Sequence, residues 1–219
     1  MDKHAEDLGQ WLRSLKDFNL PEYQQLPEID LYMDQVLSYM DKRLAPLVST
    51  PGEPAITSFM VNNYVKANLI NPPTLKKYSR VQIGYLIAVS SVKQILSMSD
   101  IKLLFDMDNL VSPEKDKLYS FFRDVHDEIL HDVEKQVNAK YDIIMRRYKE
   151  DLEKGNPQAV EILRANLSYV AFKMSIEAEI NKVIADRIIF EVGESLKEEK
   201  AEAARLSALA ETQKGKKKK

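Results

Sequence analysis

The chain has 219 residues, a formal net charge of −2 at pH 7 and no cysteine. The length predicts one or two domains, and the lack of cysteine excludes disulfides, thiolate metal sites and a cysteine nucleophile. Only six glycines occur, which argues against phosphate-binding loops and dinucleotide-binding folds, because these need glycines at fixed spacing. No apolar run approaches the roughly 18 residues of a membrane span, and the N-terminus lacks a signal-peptide layout. We therefore expect a cytoplasmic protein without a membrane partner.

Charge is distributed unevenly along the chain. Residues 57–102 contain six basic residues and one acidic residue, Asp100. Residues 214–219 contain five lysines and no acid, whereas the rest of the chain has 21 basic and 33 acidic residues. A basic segment in an acidic chain is a candidate polyanion-binding surface. On charge alone, chance clustering on a solvated face is the simpler interpretation.

The N-terminal quarter of the chain predicts two amphipathic helices and a loop. Residues 5–18 place apolar side chains at steps of three and four, which is the spacing of a helix. A second helix is predicted from near Pro27, which suits a first helical turn, to Pro46, which ends it. The following residues 49–54 are rich in Ser, Pro and Gly and predict a loop.

A third helix is predicted after this loop. Thr57 is a good N-cap for a helix that runs to about Ala67. Asn68 can end that helix, because asparagine tolerates a positive φ. Two prolines at residues 72–73 prevent its continuation.

The next segment predicts a short extended piece and two further helices. Residues 76–78 form the extended piece, and Ser79 with Gln82 makes a capping-box pattern at the start of a fourth helix. Apolar residues occupy most of the circumference of this helix, so we expect it to be the buried centre of its domain, with Gly84 at a close helix contact. A fifth short helix is predicted from residue 97 to residue 105.

Residues 57–70, which read TSFMVNNYVKANLI, resemble the recognition helix of MerR-type transcription regulators. Tyr64 matches the second tyrosine of that helix, and Asn68 stands where the family has a helix-ending glycine. The prolines at residues 72–73 and the KKYS sequence at residues 76–79 resemble the family's proline turn and the end of its wing.

The sequence also departs from the MerR pattern. Asn62 replaces an arginine that contacts phosphate in the family, and the wing is shortened and lacks its Gly-Tyr-Arg. About ten residues of loop precede Thr57, against a normal turn of roughly 3–4 residues. These departures are compatible with an altered helix-turn-helix geometry, or with a fold that is kept while DNA binding is lost.

A longer pattern resembles a narrower family more closely. The sequence LYMDQV at residues 31–36, followed by MVNNYVK at residues 60–66, resembles an uncharacterised bacterial family known only as a domain of unknown function with a MerR-like head. This resemblance covers about residues 8–155. It implies an all-α fold in which a MerR-like, winged helix-turn-helix head is followed by a long-helix bundle.

The chemistry of the head fits DNA. A helix in the major groove needs short polar side chains, and asparagine can bind adenine bidentately. Lysine and arginine can hold phosphates, and a tyrosine hydroxyl can donate to one. The candidate DNA-binding residues are Thr57, Ser58, Asn62, Asn63, Tyr64, Lys66, Lys76, Lys77, Tyr78 and Arg80. The alternative interpretation of Asn62 and Asn63 is that they are surface or capping amides.

The C-terminal half predicts long helices. Residues 112–114 (Ser-Pro-Glu) are a strong helix start, and residues 154–157 (Lys-Gly-Asn-Pro) predict a stop and restart. The last helix has two apolar stripes, which favours a bundle over a two-stranded coiled coil. The predicted domains are an N-terminal amphipathic helix (1–25), the MerR-like head (26–106), a helical effector or dimerisation domain (112–210) and a disordered lysine-rich tail (211–219).

Enzyme and metal sites are not expected. Glu128 and His131 match half of a di-iron motif, but neither of the other two histidines has a glutamate three residues before it. Asp127, His131 and Glu134 share a helix face, for which a solvated polar face is the simpler interpretation. No Gly-x-Ser-x-Gly elbow occurs. We predict no catalytic residue, no metal and no cofactor.

Three functional hypotheses remain. The first is a DNA-binding transcription regulator that binds duplex DNA as a homodimer, since such proteins match palindromic sites, with a small molecule or a protein as effector. The second is a helical interaction module whose head no longer binds DNA. The third is a bundle, or an enzyme, with a closed apolar pocket for a small molecule.

Overall fold

The computed structural model describes residues 2–48, 50, 52–111 and 117–216. The described chain is mostly helical, which confirms the all-α prediction. Its helices are α1 (Lys3–Ser14), α2 (Met33–Leu44), α3 (Ser58–Lys66), α4 (Arg80–Val92), α5 (Met98–Val111), α6 (Lys117–Glu153) and α7 (Ala159–Lys216). Two short strands, β1 (Leu31–Tyr32) and β2 (Lys77–Tyr78), pair antiparallel. The chain divides into two compact units, Met1–Glu177 and Ala178–Lys219.

The first helix begins and ends slightly earlier than the predicted range 5–18. Asp2 is its N-cap, and the carboxylate accepts hydrogen bonds from the backbone N–H groups of His4 at 3.0 Å and Ala5 at 3.2 Å. The buried side of α1 packs with α6 and α7 in an apolar cluster that contains Leu12 and Tyr141. The predicted N-terminal helix is therefore part of the packing of the two long helices.

The predicted start of the second helix near Pro27 is wrong. Helix α2 begins at Met33, directly after β1, and the side chain of Gln35 accepts the Tyr32 N–H at 2.9 Å in a capping box. Ile29, which the helical pattern included, is 72% exposed. A two-residue strand is too short to leave an alternating pattern in the sequence, which explains the difference.

The core of the head forms around α4, as predicted. The side chain of Gln82 accepts the Ser79 N–H at 2.8 Å, which completes the predicted capping box. The fully or almost fully buried residues of this core include Val36, Met40, Val61, Tyr64, Ile83, Leu86, Ile87 and Ile101. They come from α2, α3, α4 and α5, so the four helices share one apolar interior.

Helix α6 closes this core. The Tyr119 ring lies against Gly84, where an added Cβ would stand 3.0 Å from Tyr119 Cγ, so the predicted close contact at Gly84 is confirmed. The buried Tyr119 hydroxyl donates to the Pro21 carbonyl oxygen at 2.7 Å. Helix α5 runs through Val111, so the predicted boundary between the head, which was expected to end at residue 106, and the domain expected from residue 112 falls within a helix. The predicted helix start at residues 112–114 lies outside the described residues.

The last helix is packed on one of its two apolar stripes. Gly155 has a φ of +68°, which marks the predicted stop before α7. Leu163 of the first stripe is buried. Tyr169, Phe172 and Ile176 of the second stripe are exposed, so in unit Met1–Glu177 the expected packing on both sides does not occur.

The helix also continues farther than expected. Residues 211–216, predicted as disordered tail, belong to α7. Ala, Glu and Lys dominate the residues before them and have high helix propensity, which lets the helix extend. No described helix is long and apolar enough to cross a membrane.

We expect Gly9→Ala to lower the melting temperature. An added Cβ would stand 2.6 Å from Tyr141 Cζ, and this ring is held because its hydroxyl donates to the Ala5 carbonyl oxygen at 2.6 Å. Overpacking of this kind costs about 1–3 kcal/mol, against a gain of up to about 1 kcal/mol in helix propensity. Thermal unfolding followed by circular dichroism measures the effect. Gln10→Ala, at an exposed position of the same helix, is the matched control and should not lower the melting temperature.

Candidate nucleic-acid interface

Helix α3 begins and ends at the predicted residues. Thr57 is its N-cap, and the Thr57 side-chain oxygen accepts the Met60 N–H at 3.3 Å. Asn68 has a φ of +55°, which confirms the predicted left-handed end. The Leu69 N–H then bonds the Tyr64 carbonyl oxygen at 3.0 Å and turns the chain away from the helix. Helix α3 is thus short, with the Thr57 cap at its start and the left-handed Asn68 at its end.

A long connection holds α3 beside α2. The Ala55 N–H bonds the Asp41 carboxylate at 2.8 Å, which fastens the connection to α2. Ile56 is buried in the head core just before α3. The connection between α2 and α3 is therefore long, as predicted, and its described end at Ala55 and Ile56 is anchored to α2 and to the core. Residues 49 and 51 of the predicted loop lie outside the described residues. Helices α2 and α3 form a pair that differs from a tight helix-turn-helix by this connection.

One face of α3 is polar and exposed. Ser58, Asn62 and Lys66 are exposed and follow one another at steps of four residues, so they form one stripe. Phe59 lies three residues before Asn62 and is 72% exposed. Thr57 and Asn63 are half-buried, and the Thr57 hydroxyl is used for capping. The predicted base-contacting residues are therefore divided between an exposed stripe and its margin.

A tight turn follows α3 at residues 74–77, here called the basic turn. The Lys77 N–H bonds the Thr74 carbonyl oxygen at 2.9 Å, and the Thr74 N–H bonds the Lys77 carbonyl oxygen at 3.1 Å. The two central residues, Leu75 and Lys76, have φ values of +50° and +64°. Two-residue hairpin turns of this kind usually carry Asn and Gly, because both central residues need a positive φ. Lys76 is therefore left-handed, in contrast to the predicted extended piece.

The basic turn is exposed at its tip and anchored at its base. Leu75 is 87% exposed, and Lys76 is also exposed. At the base, Lys77 pairs with Tyr32 across the two strands, and Lys77 Nζ lies 4.9 Å from the centroid of the Tyr32 ring. The turn is consequently held at a fixed place in the head by the pairing of β1 with β2.

Arg80 is partly engaged within the protein. Its Nε donates to the Pro27 carbonyl oxygen at 3.5 Å, and its guanidinium carbon lies 5.6 Å from the centroid of the Tyr23 ring. The side chain thereby connects the start of α4 to the segment before β1. If Arg80 contacts a phosphate, it can use only the guanidinium N–H groups that do not bond the Pro27 carbonyl oxygen.

Two candidate residues are buried and do not belong to the surface. Tyr64 is 0% exposed and Tyr78 is 2% exposed. Burial raises the pKa of Tyr64 to about 12 and also raises the pKa of Tyr78. Both tyrosines pack in the head core, so the expected phosphate or base contact by their hydroxyls is not available in this fold. Their part is to position α3 and β2.

Phe59, Leu75 and Tyr32 are exposed apolar or aromatic residues that sequence reasoning missed. Phe59 was detectable, because it is three residues from Asn62 and so shares its helix face. No pattern in the sequence indicated that Leu75 and Tyr32 are exposed, because their exposure depends on a turn and a strand that the sequence did not predict.

The segment that carries α3 and the basic turn, residues 57–99, contains no acidic residue. The exposed Asp30 and Asp34 lie on either side of β1, the strand that pairs with β2. Among the residues that the structure describes, no group of three or more His, Asp or Glu side chains could hold a metal ion. The stripe on α3 and the basic turn together are called the contact face below.

Comparison with known proteins locates this face within a recognised domain. No curated protein and no solved structure was found to match the chain. Residues 21–123 match a family described as Domain of unknown function (DUF1836). The match extends from the segment before β1 into α6 and therefore includes Tyr119, which closes the head core. Residues 21–123 are thus similar to DUF1836, which fits the uncharacterised domain family expected from the sequence.

Proposed function

We propose that the DUF1836 domain binds duplex DNA through the contact face and that the chain is a transcription regulator of MerR-like type. In this proposal α3 enters the major groove and the basic turn lies against the phosphate backbone. The observation that carries it is the exposed stripe of Ser58, Asn62 and Lys66, on a helix with both ends anchored, followed in the chain by an exposed basic turn.

The side chains of the stripe suit base edges. Asn62 has the amide group that can pair with adenine, and Ser58 can bond to more than one base. Phe59 is exposed on the same side, and a phenyl ring can contact the methyl group of thymine. Lys66, at the C-terminal end of α3, is exposed and is assigned to a phosphate. Asn63 and Thr57 lie at the edge of the exposed stripe and are assigned to stabilising the helix.

The backbone of the basic turn also supports the proposal. A left-handed conformation costs an ordinary residue about 1–2 kcal/mol, and Leu75 and Lys76 both adopt it. Strained residues of this type are concentrated at functional sites, where the fold holds them in place. At the basic turn the strain places an exposed lysine at the tip of a short hairpin, directly before Lys77 in the chain.

We further propose that the regulator is a homodimer. Tyr169, Phe172 and Ile176 are exposed along α7 in unit Met1–Glu177. In unit Ala178–Lys219, Ile180, Val183, Ile184 and Ile188 are exposed on the same helix. Apolar side chains repeated along a long helix are typical of an interface between helices. Two heads related by a two-fold axis would match an inverted repeat in DNA.

A second candidate function is favoured by the apolar residues of the contact face. Phe59 and Leu75 are strongly exposed, and Leu75 directly precedes Lys76. An acidic protein segment with an apolar side chain would complement such a surface. In that case the head is an interaction module and DNA does not bind to it. The experiment below separates the two functions, because it measures DNA binding directly.

The substitution Lys76→Gly tests the contact face without damage to the fold. Glycine adopts a positive φ without steric cost, so we expect the variant to be up to about 1 kcal/mol more stable than the wild type. The same change removes a phosphate contact and should weaken binding to every duplex sequence and lower the salt slope by about 1. Fluorescence anisotropy with a labelled duplex and thermal unfolding measure the two effects.

Leu75→Gly is the matched control for this experiment. It relieves the same kind of strain at the neighbouring residue and keeps all the charge, so we expect higher stability with DNA affinity retained. Equal DNA affinity of wild type and Lys76→Gly, or no DNA binding by the wild type, would contradict the proposed role of the basic turn.

A further inference from the structure

A cavity of about 420 Å³ lies between α1, α6 and α7 within unit Met1–Glu177. Its walls are almost entirely apolar and include Leu8, Leu12, Leu15, Val137 and Val170. Trp11 and Tyr141 also line it, as does one acidic residue, Glu134. A volume in this range holds a small organic molecule. The contact face is not involved in the cavity.

Glu134 is an unusual residue for this place. It is 8% exposed and is the one buried charged side chain among the residues that the structure describes. One carboxylate oxygen of Glu134 accepts a hydrogen bond from Asn138 Nδ2, a donor that also reaches the Leu12 carbonyl oxygen at 3.4 Å. In the described part of the chain, no Lys, Arg or His forms an ion pair with it. A buried carboxylate without a positive partner is costly to maintain.

We propose that this cavity binds an organic cation with an apolar body. The apolar body would fill the space between α1, α6 and α7, and the positive group would lie against the Glu134 carboxylate. The rings of Trp11 and Tyr141 add faces that attract a cation. The Tyr141 hydroxyl is already used, since it donates to the Ala5 carbonyl oxygen at 2.6 Å, so the ring has a fixed orientation.

Charge complementarity favours a small cation over a second copy of the chain in this cavity. The exposed stripe of α7 in the same unit consists of Tyr169, Phe172 and Ile176. A second copy that inserted such a stripe would cover the walls but would leave the Glu134 carboxylate without a positive partner. A cation with an apolar body would contact the apolar walls and would also give the Glu134 carboxylate a positive partner. The inference does not depend on DNA binding.

Trp11 provides a direct probe of the cavity. It is the single tryptophan of the chain, and its Nε1 donates to the Pro46 carbonyl oxygen at 3.1 Å. A molecule that enters the cavity therefore changes the environment of the one indole in the protein. The probe is the tetraphenylphosphonium cation, titrated into the full chain while the emission of Trp11 is recorded. Tetraphenylborate, an anion of the same shape, is the ligand control.

Glu134→Gln is the test variant. It keeps the size of the side chain and a hydrogen-bonding oxygen, and it removes the negative charge. We expect saturable binding of the cation by the wild type, and at least about tenfold weaker binding by Glu134→Gln, because a buried charge pair loses one partner. Glu128→Gln removes an exposed carboxylate from the same helix and should bind as the wild type does. Tetraphenylborate should not bind with comparable affinity.

Several results would overturn the inference. These are no saturable change in the wild type, equal affinities of wild type and Glu134→Gln, or binding of tetraphenylborate as tight as that of the cation. A cation that fails to bind while Glu134→Gln strengthens self-association in ultracentrifugation would instead assign the cavity to a second copy. If Glu134→Gln does not fold, Ala171→Leu replaces it as the test variant. This substitution narrows the cavity from the side of α7 and should weaken cation binding. An unchanged affinity of Ala171→Leu for the cation would overturn the inference.

Discussion

The substitution Tyr119→Ala is expected to lower the free energy of unfolding by about 3–5 kcal/mol, the usual cost of removing a large buried aromatic side chain. Tyr119 is 1% exposed and lies against Gly84 in the middle of α4. Its hydroxyl donates to the Pro21 carbonyl oxygen at 2.7 Å. One side chain of α6 thereby connects the centre of the head to the segment at which the DUF1836 match begins.

One further substitution separates the contribution of the Tyr119 hydroxyl from that of its ring, and a second serves as the control. Tyr119→Phe keeps the ring and leaves the Pro21 carbonyl without its donor, so it should cost about 1–2 kcal/mol. Phe121→Ala, at a position that is 64% exposed on the same helix, is the matched control and should change stability by less than about 0.5 kcal/mol. Urea unfolding followed by circular dichroism gives the three values. A loss below about 1 kcal/mol for Tyr119→Ala would mean that α6 does not complete the head core.

Reversal of charge in the basic turn should have the largest effect on DNA binding. Lys76→Glu with Lys77→Glu replaces two cations, which the proposed function assigns to phosphates, with two anions. We expect at least about a tenfold loss of affinity for every duplex sequence and a salt slope that falls by about 2. Isothermal titration calorimetry with one random-sequence duplex at several salt concentrations measures both quantities.

A matched pair of lysines controls for net charge. Lys135 and Lys149 are exposed on α6, away from the contact face, so Lys135→Glu with Lys149→Glu changes the net charge by the same amount. This control should lose much less affinity. Equal losses in the two double variants would indicate a general effect of net charge and would remove the basic turn from the interface. Lys77 lies over the Tyr32 ring, so thermal unfolding should accompany the measurement.

Local signals in the sequence predicted much of the head. The capping residues Thr57 and Ser79 and the left-handed Asn68 lie where their side-chain chemistry placed them. These features depend on neighbours within a few residues, so the sequence carries them directly. The central position of α4 was also predictable, because apolar residues surround the helix.

Features that depend on distant neighbours were not predictable. Tyr64 and Tyr78 have polar hydroxyls and lie in a basic segment, which suggested surface contacts, yet packing with α2 and α4 buries both. The start of α2 at Met33 depends on the pairing of β1 with β2, which are far apart in sequence. Glu134 was predicted to lie on a solvated polar face, and only the packing of α1, α6 and α7 forms the cavity around it.

The most direct test of the proposed function is the salt dependence of DNA binding by the wild type. Fluorescence anisotropy with a random-sequence duplex, at about 50 and about 200 mM salt, should show affinity that falls at least on the order of a hundredfold, because several phosphate contacts release counterions. The same fall should occur in a chain that lacks residues 214–219. An absence of binding at the lower salt concentration, or binding that disappears with those residues alone, would contradict the assignment of DNA binding to the contact face.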